Sequence, residues 1–71
     1  MTEAVRTVCV NGETINLAAP TTLAELIVRQ NVRGKRYAVE VDNEIIPRSE
    51  HDAFVLRGGE QVEIVQAIGG G

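Results

Sequence analysis

Few side chains in this sequence have the chemistry of a catalyst. Cys9 is the only cysteine and His51 the only histidine. A nucleophilic thiol needs a base within reach, and "VRTVCVNGE" offers none. A lone cysteine in a β-rich stretch reads as a small hydrophobe. His51 stands between Glu50 and Asp52 in a polar segment, where a solvated residue without a catalytic partner is expected. Ser49 and the scattered carboxylates form no dyad or triad. The glycines of "RGGE" lack the strand–GxxxxGK[ST]–helix setting of a phosphate loop. One thiol builds no disulfide framework, four-thiolate zinc site or iron–sulfur cluster. The expectation is therefore no catalytic residues, no metal and no bound cofactor.

What remains is the end of the sequence itself, "QAIGGG". Frayed termini and cloning remnants are common and are two readings of such a run. A third is chemical. Gly69, Gly70 and Gly71 have no Cβ, so they make a chain thin enough to enter a narrow channel in another protein. The carboxylate at Gly71 is then an unhindered acid that an enzyme can reach, whereas internal Asp and Glu would not fit. In that reading the tail is a substrate.

A rigid body must present such a tail. Residues 5–10 and 13–17 read as a hairpin about Asn11-Gly12, the strongest short turn signal. Their alternation assigns Val8, Val10, Ile15 and Leu17 to the core and turns Cys9 outward. Thr22 as N-cap with Glu25 three residues on forms a capping box. Leu23, Leu26, Ile27 and Gln30 follow helical spacing, and Gly34 is the expected stop. Arg33, Lys35 and Arg36 read as a solvated helix end. Residues 37–41 give a third strand with Tyr37, Val39 and Val41 on one face, followed by a turn at Asp42-Asn43. Ile45 and Ile46 form a short strand ended by Pro47. Ser49 is expected to cap one helical turn reaching Ala53, above Phe54 and Leu56. "RGGE" turns the chain into a last strand, with Val62 and Ile64 inward and Glu63, Val65 and Ala67 outward. The order is α+β: a sheet with one main helix on one face.

The bulk numbers agree. A chain of 71 residues is one domain. At that size folding buries only about 60% of the surface the unfolded chain exposes, which leaves little room for a deep cleft. A 44% apolar and 24% charged composition is globular, and a net charge of −3 disfavours nucleic acid. No apolar run approaches the roughly 20 residues that cross a bilayer, and "MTEAVRTV" is not a signal peptide. The expected location is cytoplasmic. Val65, Ala67 and Ile68 are apolar along the route to the tail. They are either ordinary exposed aliphatics or a docking surface.

The segments "VCVNGE", "TLAEL", "AVEVDNEIIPRSEH" and "GGEQVEIVQAIGGG", in that order, resemble the β-grasp (ubiquitin-like) sulfur carriers. The branch they are most similar to is the ThiS family of thiamine biosynthesis. The resemblance covers nearly the whole chain. Two departures stand out. "RGGE" replaces the usual Asp-Gly-Asp, where the same turn is expected, and Gly69 adds a third glycine that should loosen the tail. The resemblance implies a β-grasp domain over residues 1–67, with a mixed sheet of four to five strands, and a flexible glycine tail over residues 68–71. It implies a carrier, not an enzyme, and a monomer when free. An E1-like enzyme uses ATP to adenylate Gly71, a desulfurase or persulfide system supplies sulfur, and the resulting thiocarboxylate serves thiazole synthase. Gly69 and Gly70 give clearance, and Val65, Ala67 and Ile68 dock the partners. The small subunit of molybdopterin synthase and other β-grasp sulfur carriers share this tail chemistry. A ubiquitin-like modifier of lysines begins from the same adenylated glycine, and a plain binding module would leave the tail idle.

Overall fold

The structure, a computed structural model, describes residues 6–32 and 36–66. Two hairpins follow from their turns. Strand β1 (Arg6–Val10) pairs antiparallel with β2 (Glu13–Leu17), closing at Val10 opposite Glu13. The two turn residues, Asn11 and Gly12, have φ of +50° and +84°. That mirror-image turn matches the right-handed twist of the strands, and Asn and Gly tolerate it best. Strand β4 (Tyr37–Val41) turns in the same way through Asp42 and Asn43, at φ +50° and +71°, into β5 (Glu44–Ile45). The last strand, β7 (Gln61–Gln66), joins the hairpins. It lies parallel to β1 and antiparallel to β4, giving the mixed five-stranded order β2-β1-β7-β4-β5.

One helix, α1 (Leu23–Arg29), covers one face of this sheet. Seven residues are too few to hold a helix by propensity, so its ends and its packing must. A helix start leaves four amides without internal partners, and here all four are satisfied. The Thr22 N–H donates to Glu25 Oε1 at 2.9 Å, and the Glu25 N–H donates to Thr22 Oγ1 at 3.1 Å. This is the expected capping box. The Leu23 and Ala24 N–H groups donate to the carbonyls of Phe54 and His51, at 2.8 and 3.0 Å. The helix stops before Gly34. Asn31 takes the left-handed conformation, φ +56°, one residue after the cap Gln30. Asparagine is the usual substitute for glycine there. Gly34, Arg33 and Lys35 lie outside the described residues, and Arg36 is exposed.

A second, two-stranded sheet was not legible in the sequence. Strand β3 (Thr21–Thr22) pairs antiparallel with β6 (Val55–Leu56), seating the helix start on the segment that supplies its capping carbonyls. The turn before β6 is a 3-10 helix, Arg48–Glu50. Its N-cap is Pro47 and no side chain caps it, so Ser49 is an exposed member of the turn and not its cap. The core lies between sheet and helix. Leu23, Leu26 and Leu56 are fully buried and pack with Val8, Val39 and Val62. Each such aliphatic side chain contributes roughly 1.5–3 kcal/mol by leaving water. Ile15, Tyr37 and Phe54 close the rim half-buried.

Candidate functional site

In the sequence the glycine run follows directly after β7, so β7 is the described element nearest to it. β7 occupies the middle of the five-stranded sheet. Strand β1 runs beside it only as far as Val10, opposite Val62, and then turns away. Asn11 continues the pairing from there. Its backbone N–H donates to the Val62 carbonyl at 2.9 Å. Its side chain then does what the next strand residue would have done: Oδ1 accepts the Ile64 N–H at 2.8 Å, and Nδ2 donates to the Ile64 carbonyl at 3.2 Å. On its other side β7 pairs with β4 as far as Tyr37 opposite Gln66. The strand is thus held on both edges to within a few residues of the tail. Turn chemistry identified Asn11 in the sequence, but its grip on a residue 53 positions away has no local signal.

The "RGGE" turn anchors the other end of β7. Both Glu60 carboxylate oxygens accept backbone amides, from Arg57 at 3.0 Å and Gly58 at 2.8 Å. Gly59 donates to the Thr7 carbonyl at 2.7 Å. Gly58 sits at φ +126° against Arg6, a conformation that L side chains rarely adopt. The turn expected here is formed.

Of the residues expected to dock partners, Val65 is described, and it faces outward, 58% exposed, opposite Ala38 on β4. Ala67, Ile68, Gly69, Gly70 and Gly71 lie outside the described residues, as does the expected boundary between residues 67 and 68. The outward face around Val65 also carries residues the sequence did not bring together. Glu40 lies directly opposite Glu63, with Ile45 on the far side of Glu40. The alternation of each strand shows which residues point outward, but not which strand lies beside which.

No nucleophile–base pair is assembled from Cys9 and His51. Cys9 points outward from β1, half-buried beside Thr14 and Gln61. His51 lies on the helix side of the sheet, and its expected solvation is incorrect: it is 6% exposed. The 3-10 turn rolls it inward between its polar neighbours, which remain exposed. Its ring stacks on Tyr37, with centroids 6.2 Å apart. Its Nε2 lies 3.0 Å from the Ile46 carbonyl. A carbonyl only accepts, so Nε2 carries the proton. Arg48 lies over the other part of this cluster, 4.3 Å from the Tyr37 ring centre. The histidine links Ile46, which follows β5, to the end of the 3-10 turn and, through its own carbonyl, to the helix start. Among the described residues no three His, Cys, Asp or Glu side chains are grouped to hold a metal, and no helix is long and apolar enough to cross a membrane. A depression of about 480 Å³ beside Pro20, Glu25 and Val28 is wide open and lies on the helix side, away from the outward face of β7. The described part of the molecule therefore supplies a mount, β7, paired along both edges, and an outward face.

Comparisons with known proteins bear on that mount. The profile of the ThiS family matches residues 4–71. A thiazole synthase of Paramagnetospirillum magneticum is 37% identical over 62 residues, covering 87% of this chain and 19% of that protein. The thiazole synthase of Magnetococcus marinus is 38% identical over 61 residues, covering 86% and 19%. The chain thus spans 19% of the length of each of these two relatives. The sulfur carrier protein ThiS of Escherichia coli is 28% identical over 61 residues, covering 86% of this chain and 92% of that one. The crystal structure of the thiamine biosynthesis protein (ThiS) of Geobacter metallireducens superposes with a TM-score of 0.78 at 28% identity, covering 92% of this chain and 99% of that one. The fold shared with it is the β-grasp.

Proposed function

The chain belongs to the ThiS family of sulfur carriers in thiamine biosynthesis, and on that premise we propose that it carries sulfur as a thiocarboxylate at Gly71. A carboxylate is a poor electrophile. An E1-like activating enzyme joins it to the AMP part of ATP and releases pyrophosphate, which turns the carboxylate into an acyl group on a good leaving group. A persulfide from a desulfurase-type donor attacks the acyl carbon and AMP departs. A second thiol cleaves the sulfur–sulfur bond and leaves the sulfur on Gly71. Thiazole synthase takes up that sulfur and the carboxylate is restored. In this scheme the carrier supplies no acid, base or cofactor to these steps. It acts as a monomer between partners, in the cytoplasm.

The observation that carries this reading is the family match, which continues through the glycines to residue 71. The choice of acceptor is supported by the two relatives named thiazole synthase, in which a stretch similar to this chain is joined to a much longer protein. Covalent joining raises the effective concentration of one partner at the other, a gain only for parts that must meet. Val65, Ala67 and Ile68 form the docking face for activating enzyme and synthase, which therefore bind in turn. Gly69 and Gly70 let the terminus pass into each active site.

The test is the intact mass of the chain after incubation with ATP, an activating enzyme and a persulfide source. Exchange of one C-terminal oxygen for sulfur is expected, and the product should then lose that sulfur to thiazole synthase. A chain that stays unmodified, or a variant lacking Gly70 and Gly71 that still supports thiazole formation, would overturn the proposal.

A further inference from the structure

The outward face of the sheet brings two carboxylates together across neighbouring strands. Glu40 and Glu63 are directly opposite in the β4–β7 register. Side chains so placed have Cβ atoms about 4.5–5.5 Å apart, and like charges there repel. The strands' alternation places Thr7, Cys9, Thr14, Asn16, Ala38, Glu40, Ile45, Gln61, Glu63 and Val65 outward, and none of these is a cation. Among the described residues no ion pair joins either carboxylate. Apolar side chains flank the pair. Ile45, 69% exposed, lies opposite Glu40, and one step toward the tail Ala38 lies opposite Val65, 58% exposed. Edge strands and outward faces are normally kept polar, so a large exposed isoleucine beside two unbalanced carboxylates is what a surface awaiting a partner looks like.

We propose that Glu40 and Glu63, framed by Ile45, Ala38 and Val65, are the specificity determinants of this face, and that they recognise a thiazole synthase surface bearing an apolar patch with arginine or lysine set against the two carboxylates. The inference rests on the sulfur-carrier reading above and extends the docking face from the tail-proximal residues to the far edge of the sheet. Charge complementarity selects the occupant: the acidic pair repels a polyphosphate backbone and gains by meeting fixed cations. The two relatives that join a similar stretch to thiazole synthase indicate which enzyme provides them. The carboxylates steer the encounter and fix its register, while the aliphatic side chains hold the complex.

Titration calorimetry of the full chain with purified thiazole synthase, at low and at high salt, tests this. The Glu40→Gln/Glu63→Gln double variant should bind more weakly at low salt, by about 1.4- to 5-fold for each charge removed. Its affinity should depend less on salt than that of the unaltered chain. Its urea midpoint should rise, because the repulsion is gone. Ile45→Ser should weaken binding without changing the salt dependence. Equal affinity and equal salt dependence for the double variant would overturn this inference and leave the sulfur-carrier reading standing, provided the unaltered chain still yields its sulfur to the synthase. An effect seen with the activating enzyme but absent with thiazole synthase would overturn the assignment of the occupant. Failure of the unaltered chain both to bind and to deliver sulfur would overturn both readings.

Discussion

Asn11 carries the most informative mutation. Its side chain makes two hydrogen bonds to the backbone of Ile64, at 2.8 and 3.2 Å, where β7 has lost β1 as a neighbour. Each bond is worth about 1 kcal/mol net, so losing both costs about 2 kcal/mol. Asn11 also sits at φ +50°, where alanine pays about 1 kcal/mol more than asparagine. Asn11→Ala should therefore lose about 3 kcal/mol, against a total near 5 kcal/mol for a domain of this length. Asn11→Gly accepts the backbone conformation and isolates the clamp, so it should lose about 2 kcal/mol. Asn11→Asp keeps the oxygen that accepts the Ile64 N–H but has no donor for the Ile64 carbonyl, and it should fall between the parent and the glycine variant. Urea denaturation followed by circular dichroism gives the order of stabilities. Amide hydrogen exchange of Ile64 gives the local answer, since its protection should fall in Asn11→Gly while the β1–β2 amides keep theirs relative to global stability. A glycine variant as stable as the parent, with Ile64 still protected, would refute the idea that this side chain extends the ladder.

Three further outcomes are expected. Val65→Asp replaces an exposed side chain, so it should leave the urea midpoint nearly unchanged while abolishing adenylation by the activating enzyme; normal adenylation would contradict the docking role. Glu25 is held below its ordinary carboxylate value of 4.5, chiefly by the hydrogen bond from the Thr22 backbone and then by the Thr22 side chain. A lowered folded value means the carboxylate stabilises the fold at neutral pH and loses that contribution as pH falls below about 4.5. Glu25→Gln keeps an oxygen for the Thr22 N–H and cannot titrate, so its thermal midpoint should decline less steeply on acidification than the parent's, and identical slopes would contradict this. His51→Phe preserves a ring to stack on Tyr37 but orphans the Ile46 carbonyl. It should cost about 1–3 kcal/mol in chemical denaturation, and no loss would show that the bond to Ile46 is dispensable.

Much of this protein was determined by rules acting over a few residues. Asn11-Gly12 and Asp42-Asn43 made hairpin turns because they tolerate positive φ. Thr22 and Glu25 closed a capping box because three residues separate a cap from the amide it serves. Alternation assigned Val8, Val10, Val39, Val41, Val62 and Ile64 to the core, and all six are buried there. The glycine run, and the family it points to, were equally visible in the order of residues. Tertiary structure decided what depends on segments meeting from far apart. The parallel contact of β1 with β7 turned an ordinary turn asparagine into a clamp on Ile64. A 3-10 turn carried His51 inward although both of its sequence neighbours are polar and exposed. The pairing of β4 with β7 set Glu40 against Glu63. Period and capping are properties of one segment's own backbone, whereas register between distant strands is chosen by the packing of the whole core, and that choice has no local trace.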